Sequence, residues 1–484
     1  MKTYAQSLML LMLGAALLVG CGGEDNDKPS ETAANPGSQT ESESVNLYGD
    51  NLPAGLDFGG REFRVATYDG GNLTDPNGWY NYIEISETNG DILNDAAYLR
   101  NTEVEERFNV TIKCYEVASY SKVVDAVQKS VTAGDDDYDL VVESSEASFL
   151  NLISSNMLYD VNNLKYIDLS QSYYTKNSYK TYEIGGHRYL FSGTYTYPLS
   201  SCVYWLFNKD MWAEYDLPDL YQTVRDGAWT MDTLFSYLKG TYRDVNGNSK
   251  KDMGDKYGFS TTDTGMLHFL YPGLGMSGVS LTEDGFTFDY SEERAVDVLE
   301  AIIALCKDEN AFYHNSDPWG NFFNGNSLMM FYGSSLTKLR DLEFDFGVVP
   351  MPKFDEAQEN YASYMCGGLV CIPSTISDPD CVGAVTEALF SASARYTEPA
   401  YIDKFVENKV LRDADSVEMY RMMLQTATYD FTRYISPNAN VAEYGIISSL
   451  VQKKSTDLSS AWAKIEKSVK TDFEAFYDEF TANS

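Results

Sequence analysis

The chain has 484 residues, a net charge of −36 from 72 Asp and Glu against 36 Lys and Arg, and 14% aromatic residues including 37 Tyr. That length is enough for two or three ordinary domains with a sizeable core. The acidic excess excludes nucleic-acid phosphates and an anionic lipid face as partners of the folded body, because both need a basic surface. The aromatic richness has two readings: a core that uses Tyr where others use Leu, and a cleft that stacks on flat ligands.

At the N-terminus, Lys2 precedes an apolar run from Leu8 to Val19. This run falls short of the about 20 residues that span a bilayer. It ends in Leu18-Val19-Gly20-Cys21, which resembles the lipobox of bacterial lipoproteins. Small Gly20 lets a signal peptidase approach, and Cys21 becomes the lipid-bearing first residue. Residues 1–20 are therefore expected to be a signal peptide. Residues 21–57, rich in Ser, Glu, Asn, Gly and Pro, cannot bury enough apolar surface to fold. They form a tether with a coil span of roughly 30–35 Å. The expected location is the extracellular face of the cytoplasmic membrane, held by lipid alone. Six cysteines remain, none in a CxxC pair, so buried free thiols are the default. One bridge among Cys366, Cys371 and Cys381 stays open.

The first predicted strand is Phe63–Thr67. A helix follows over about Asp91–Phe108, a strand over Val110–Tyr115, a helix over about Tyr120–Thr132 and a nearly continuous apolar strand over Tyr138–Ser144. Strand, helix, strand, helix, strand is the pattern of a parallel sheet covered on both faces. The stretch from Arg188 to Trp212 reads as two strands around a Pro turn. A helix carries Met231, Leu234, Phe235 and Leu238 on one face behind an N-cap at Thr230. Ser291 is expected to cap another helix. Leu328–Tyr332, Phe344–Pro352 and Met365–Pro373 read as single strands. The last hundred residues are mostly helical, and the final helix has a packing stripe of Trp462, Ile465, Val469, Phe473, Phe476 and Phe480.

Between the Thr230 helix and a strand at Lys256 lies DVNGNSKKDMGD, from Asp244 to Asp255. Asp244, Asn246, Asn248, Asp252 and Asp255 place side-chain oxygens at positions one, three, five, nine and twelve, and the Lys250 carbonyl falls at seven. This is the spacing of a calcium loop. Ser249 stands where such loops carry Gly, and Asp255 where they carry a bidentate Glu, so the loop is nearer to the dockerin type. One expectation is a structural calcium that clips the loop shut. The other is an Asn-Gly turn with exposed charges.

Several segments, taken in order, resemble extracellular solute-binding proteins of family 1, the sugar-capturing lipoproteins of ABC importers. YDLVVES (Tyr138–Ser144) is similar to the strand that enters their cleft, and LFNKDMW (Leu206–Trp212) to the segment past their first hinge crossing. WTMDTLFSYL resembles a conserved-pattern helix of theirs, FFNGNSLMMFYG (Phe322–Gly333) their F-x-x-G-x-x-A-M element, and FGVVPMPK (Phe346–Lys353) their return across the hinge. The resemblance spans roughly Arg61 to Phe480. It implies a type II periplasmic-binding-protein-like α/β fold, with two lobes joined by a hinge and a ligand cleft between them. Lobe 1 is expected over residues 58–195 and 352–396, lobe 2 over 196–351 and 397–484. It also implies an ABC permease as partner, a mono- or oligosaccharide ligand, a monomer and no catalysis. The three histidines lack a G-x-S-x-G, HExxH or P-loop companion, which agrees. The rival readings are a receptor for a peptide or polyamine and a surface glycan hydrolase using an Asp/Glu pair.

Ligands of parallel sheets sit beyond the carboxyl ends of the strands. There a sugar needs aromatic faces beside planar polar groups. The loop after the first strand offers Trp79, Tyr80 and Glu84, although Trp79 could equally plug the loop onto its lobe. Ser145 and Glu146 follow the third strand, where capping competes with ligand contact. Tyr195 near the hinge and Tyr332 after the F-x-x-G element are further candidates. Gly367 and Gly368 would allow close backbone approach or make a bulge. Trp212 and Trp229 sit on helices and are assigned to the core.

Overall fold

Apolar residues on alternate sides bury both faces of the first strands. In β1 (Arg61–Tyr68), Phe63 and Val65 enter one core and Ala66 the other. In β3 (Leu140–Glu143), Leu140 and Val142 face the first core and Val141 the second. The computed structural model describes residues 48–482 apart from 69–81, 118–119, 144–148, 176–181, 197–200, 262–263, 283–284, 314–318, 334–335 and 367. Residues 46–484 form one compact unit. Among the described residues no helix is long and apolar enough to cross a membrane.

β1 pairs in parallel with β2 (Val110–Val117) along its full length, from Arg61 opposite Val110 to Tyr68 opposite Val117. It also pairs in parallel with β3. The helix Ile92–Phe108 connects β1 to β2. Asp91 caps it by accepting from the Leu93 and Asn94 N–H groups at 2.9 and 3.0 Å. Asn109 ends it in the left-handed region at φ 50°.

The chain then passes the small hairpin of β4 (Glu183–Ile184) and β5 (His187–Arg188) and enters β6 (Ser201–Cys202) and β7 (Tyr204–Asn208). A five-stranded sheet follows. It contains β7, β8 (Tyr257–Thr261), β11 (Ala311–Tyr313), β12 (Ser327–Tyr332) and β13 (Phe346–Val349) in the order β11-β8-β12-β7-β13. β8, β11 and β12 are parallel, and β7 runs antiparallel to β12 and β13. The hairpin of β9 (Val279–Thr282) and β10 (Gly285–Phe288) lies outside that sheet.

Two sequence expectations change. Met365–Pro373 is not one strand. Gly368 takes φ +68°, a left-handed value that an extended strand cannot contain. It separates β14 (Ser363–Cys366) from β15 (Leu369–Cys371). β14 pairs with β6 and with β16 (Ala427–Thr428), whereas β15 completes the first sheet as β15-β3-β1-β2. Ser291 is not an N-cap either. The helix Glu293–Cys306 starts after Glu292, with no side-chain cap bond. Three further assignments agree with the structure. Thr230 caps Met231–Leu238, Trp229 is fully buried with its indole N–H donating to the Pro350 carbonyl at 2.9 Å, and the helix Leu458–Ala482 buries Trp462, Val469, Phe473, Phe476 and Phe480. Cys371 and Cys381 are buried, and Cys381 is a free thiol.

Candidate functional site

The parallel strands of both sheets deliver their carboxyl ends as candidate ligand surfaces. In the first sheet these ends are Tyr68, Val117 and Glu143, and in the second they are Thr261, Tyr313 and Tyr332. Most residues beyond these ends fall outside the described residues, among them Trp79, Tyr80, Ser145 and Glu146; so do Gly367 and Cys21. Gly368 is described, and its left-handed φ turns the chain from β14 into the first sheet.

The other cleft candidates are committed elsewhere. The Glu84 carboxylate meets Lys113 Nζ at 2.7 Å and accepts from the Cys114 N–H at 2.9 Å. β2 is the outer strand of its sheet, so Glu84 closes a backbone donor that the edge leaves unpaired. Burial acts to raise its pKa, but the Lys113 and Cys114 hydrogen bonds outweigh it and hold the carboxyl below its ordinary value. Tyr195 is 5% exposed. Its ring lies between the Arg100 guanidinium, 4.8 Å from the centroid, and Phe390 at 5.6 Å. Burial pushes its phenol up to about 12. Tyr332 is fully buried against Tyr204, Trp319 and Phe323, with ring centroids 5.6 to 6.0 Å apart. Neither ring is an open wall in this conformation, because each fills its own aromatic cluster.

The structure assembles aromatics near the strand ends, and sequence reasoning missed Phe269, Tyr364 and Tyr444 among them. After β8, Phe269 stacks on Tyr364 of β14 at 4.9 Å, and Tyr364 meets Tyr444 at 6.2 Å. Met266, in the turn just before Phe269, is 36% exposed. Trp319, half-buried, covers Tyr332. Nearly a hundred residues separate some of these partners, and no local pattern signals that they meet.

The Asp244–Asp255 loop is built from successive side-chain-to-backbone turns. Asp244 accepts from the Gly247 and Ser249 N–H groups at 2.6 and 2.7 Å, Asn246 from Asn248 N–H at 2.9 Å, and Asn248 from Lys250 N–H at 2.7 Å. Ser249 takes φ +56°, at the position where such loops use Gly. Asp255 is fully buried and accepts from the Val245 N–H at 2.9 Å. Both asparagine amides donate to Asp252, at 3.0 and 2.6 Å. Donors of the loop thus occupy the carboxylate that a cation would use. Among the described residues no group of three or more His, Cys, Asp or Glu is arranged to hold a metal ion.

The profile of the bacterial extracellular solute-binding proteins matches residues 101–404, well over half of the chain. The chain belongs to this family. A search of curated proteins finds no match. Among solved structures, the solute-binding protein is similar to a cyclo/maltodextrin-binding protein complexed with maltotetraose, at 15% identity and a TM-score of 0.56, over 85% of this chain and 97% of the other. It is similar to a cyclic α-maltosyl-1,6-maltose binding protein from Arthrobacter globiformis, at 14% identity and a TM-score of 0.55, over 88% and 100%. An ABC substrate-binding protein from Listeria monocytogenes in complex with cycloalternan matches at 16% identity and a TM-score of 0.52, over 84% and 99%. The fold is therefore the type II periplasmic-binding-like α/β fold expected from the sequence. The family is one of extracellular solute-binding proteins.

Proposed function

We propose that this solute-binding protein captures a carbohydrate outside the cell and delivers it to an ABC permease, without chemistry of its own. The observation that carries this reading is the near-complete coverage of three structures whose named ligands are all saccharides. A hinge between lobes turns such binding into a signal. Ligand contacts both walls only when the cleft is closed, and so shifts the population toward closed by its differential affinity. Lipid on Cys21 would hold the body at the extracellular face of the cytoplasmic membrane, with residues 21–57 as tether. The Asp244–Asp255 loop takes a structural calcium in this reading; the spacing of its side-chain oxygens supports the assignment.

Trp79 is the proposed stacking wall. Net hydrogen bonds to a soluble ligand contribute only about 0.5–1.5 kcal/mol each, and an aromatic face adds roughly 1.5–3 kcal/mol. Trp79→Ala should weaken sugar binding about 10- to 150-fold with folding nearly intact. Trp229→Ala, in the core, should lower stability first. Calorimetry over a panel of oligosaccharides, peptides and polyamines decides the matter. Heat only with peptides or polyamines overturns the sugar assignment, and sugar turnover by the purified protein overturns the non-enzymatic one.

A further inference from the structure

The hairpin of β9 and β10 lies against the last helix, Leu458–Ala482, and leaves one of its edges open. Its strands pair antiparallel, with Gly285 opposite Thr282, Phe286 opposite Leu281, Thr287 opposite Ser280 and Phe288 opposite Val279. Just beyond them the Asp289 N–H donates to the Gly278 carbonyl at 3.1 Å. Opposed residues of an antiparallel ladder alternate between bonded and non-bonded pairs. Gly285, Thr287 and Asp289 are therefore the bonded positions, and the N–H and C=O groups of Phe286 and Phe288 point away from β9. Among the described residues no further strand pairs with β10.

Phe286 and Phe288 share one face of the strand, and both pack on the last helix. Phe286 meets Phe473 at 4.9 Å, and Phe288 meets Phe473 at 5.4 Å and Trp462 at 5.6 Å. A groove of about 700 Å³ runs between β10 and this helix. All four residues from Gly285 to Phe288 line it, together with Lys470, Glu474, Tyr477 and Asp478 of the helix. A cavity over one face of a strand meets every second residue, whereas one along its edge meets them all. The groove thus follows the open edge. Its floor is aromatic: Phe286, Phe288 and Tyr477 are half-buried, above the buried Trp462 and Phe473. Its rim is acidic. Glu474 and Asp478 are exposed, and the lysine beside them, Lys470, is paired with Glu466 at 2.7 Å.

A free strand edge is a template for another strand. Its main-chain groups offer bonds in register, and an apolar floor beside it takes alternate side chains. We propose that this groove docks an extended segment of a partner protein, which adds to β10 as a third strand, seats apolar side chains on Phe286, Phe288 and Tyr477, and brings basic residues to Glu474 and Asp478. The acidic rim and the net charge of −36 favour a basic segment over an acidic one. Phe286 and Phe288 together offer two N–H and two C=O groups. So few bonds order a free chain poorly, whereas a segment displayed by a folded partner has already lost much of that freedom. The hairpin belongs to neither large sheet. It uses none of the strand ends proposed for the sugar, so this docking stands or falls separately from that assignment.

The test uses the full chain and a synthetic probe, acetyl-Lys-Val-Thr-Val-Lys-amide. Calorimetry should give weak but saturable heat, and the bound probe should slow exchange of the Phe286 and Phe288 amide hydrogens about tenfold. A strand bonds to its neighbour through alternate residues. N-methylation of the two valines and N-methylation of the threonine should therefore act oppositely, one abolishing binding and the other leaving it. A probe with glutamate in place of both lysines should bind about tenfold more weakly. The double variant Glu474→Lys, Asp478→Lys, at two exposed helix positions, should reverse that preference. No saturable heat with the parent probe, equal effects of the two methylations, unprotected Phe286 and Phe288 amides, or a charge preference unchanged in the double variant would overturn the proposal. The methylated pair decides on the wild type even if the variant fails to fold.

Discussion

Around Glu387, donors converge on both oxygens of a buried carboxylate; around Asp430, they reach only one. Glu387 lies in the helix Pro379–Arg395 over the first sheet, 1% exposed. It accepts from the Tyr173 hydroxyl, from the Tyr174 hydroxyl at 2.6 Å and from the Asp168 N–H at 3.2 Å. Asp430 is as deeply buried, but its Oδ2 has no donor. Burial raises both acids to about 7. Similar depth and similar titration thus arise from two different environments. In the first, the acid closes a network and holds two tyrosines in register. In the second, it leaves one buried acceptor without a donor. The difference teaches that burial and a shifted pKa do not by themselves mark a site, since the same depth and titration arise from a closed network and from a half-satisfied acid.

The comparison breaks most sharply at Glu387. Glu387→Ala should orphan two phenols and an amide N–H and cost roughly 3–5 kcal/mol of stability, read as a lower urea midpoint at unchanged slope. A loss below about 1 kcal/mol would mean that the network is not what holds this region together.

Asp430 should behave with the opposite sign. An acid whose folded pKa is raised contributes stability that is fully present below its unfolded value near 3.8 and lost as pH rises through about 7. Asp430→Asn removes that loss. It should be more stable than the wild type by roughly 2–4 kcal/mol at pH 8 and about equal to it at pH 4. Glu387 titrates in the same window in both proteins, so the difference between them isolates Asp430. Melting curves at the two pH values check it, and a gap that does not change with pH would sink the assignment.

A third region sharpens the contrast with a smaller effect. In the Asp244–Asp255 loop, Asp252 has found its donors in two asparagine amides, and calcium would replace them. Two lysines beside the loop and the short Asp255 predict weak affinity, about 10⁻⁴–10⁻³ M. Calcium at ~10 mM should then add about 1.4–2.7 kcal/mol, with EDTA reversing it and the Asp244→Ala, Asp252→Ala double variant insensitive. No change in Tm with calcium would leave the loop closed by its own hydrogen bonds.

Much of this architecture is legible in the sequence, because its causes are local. Short apolar runs mark β1 and β3, Asp91 and Thr230 announce their helices, and the 3.6-residue stripe from Trp462 to Phe480 marks the last helix. The ordered motifs between Arg61 and Phe480 pointed to the family that the profile over residues 101–404 shows. Trp229 lies in the core as expected, but it precedes the Thr230 cap and is not on the helix that the sequence reading gave it.

Tertiary structure alone decided the rest. One Gly368 dihedral divides what reads as a single strand between two sheets. Tyr195 and Tyr332 carry aromatic and polar character suited to a ligand, yet partners from distant segments cover them: Arg100 and Phe390 for one, Tyr204 and Trp319 for the other. Glu84 is spent on the edge of β2 because its loop happens to return there. Asp430 stands out only by what fails to reach it, and a missing donor leaves no trace in a chain of letters. Residue type and spacing determine how a segment folds on itself. Which groups remain unsatisfied depends on contacts between segments far apart in the chain, and only the assembled fold contains those.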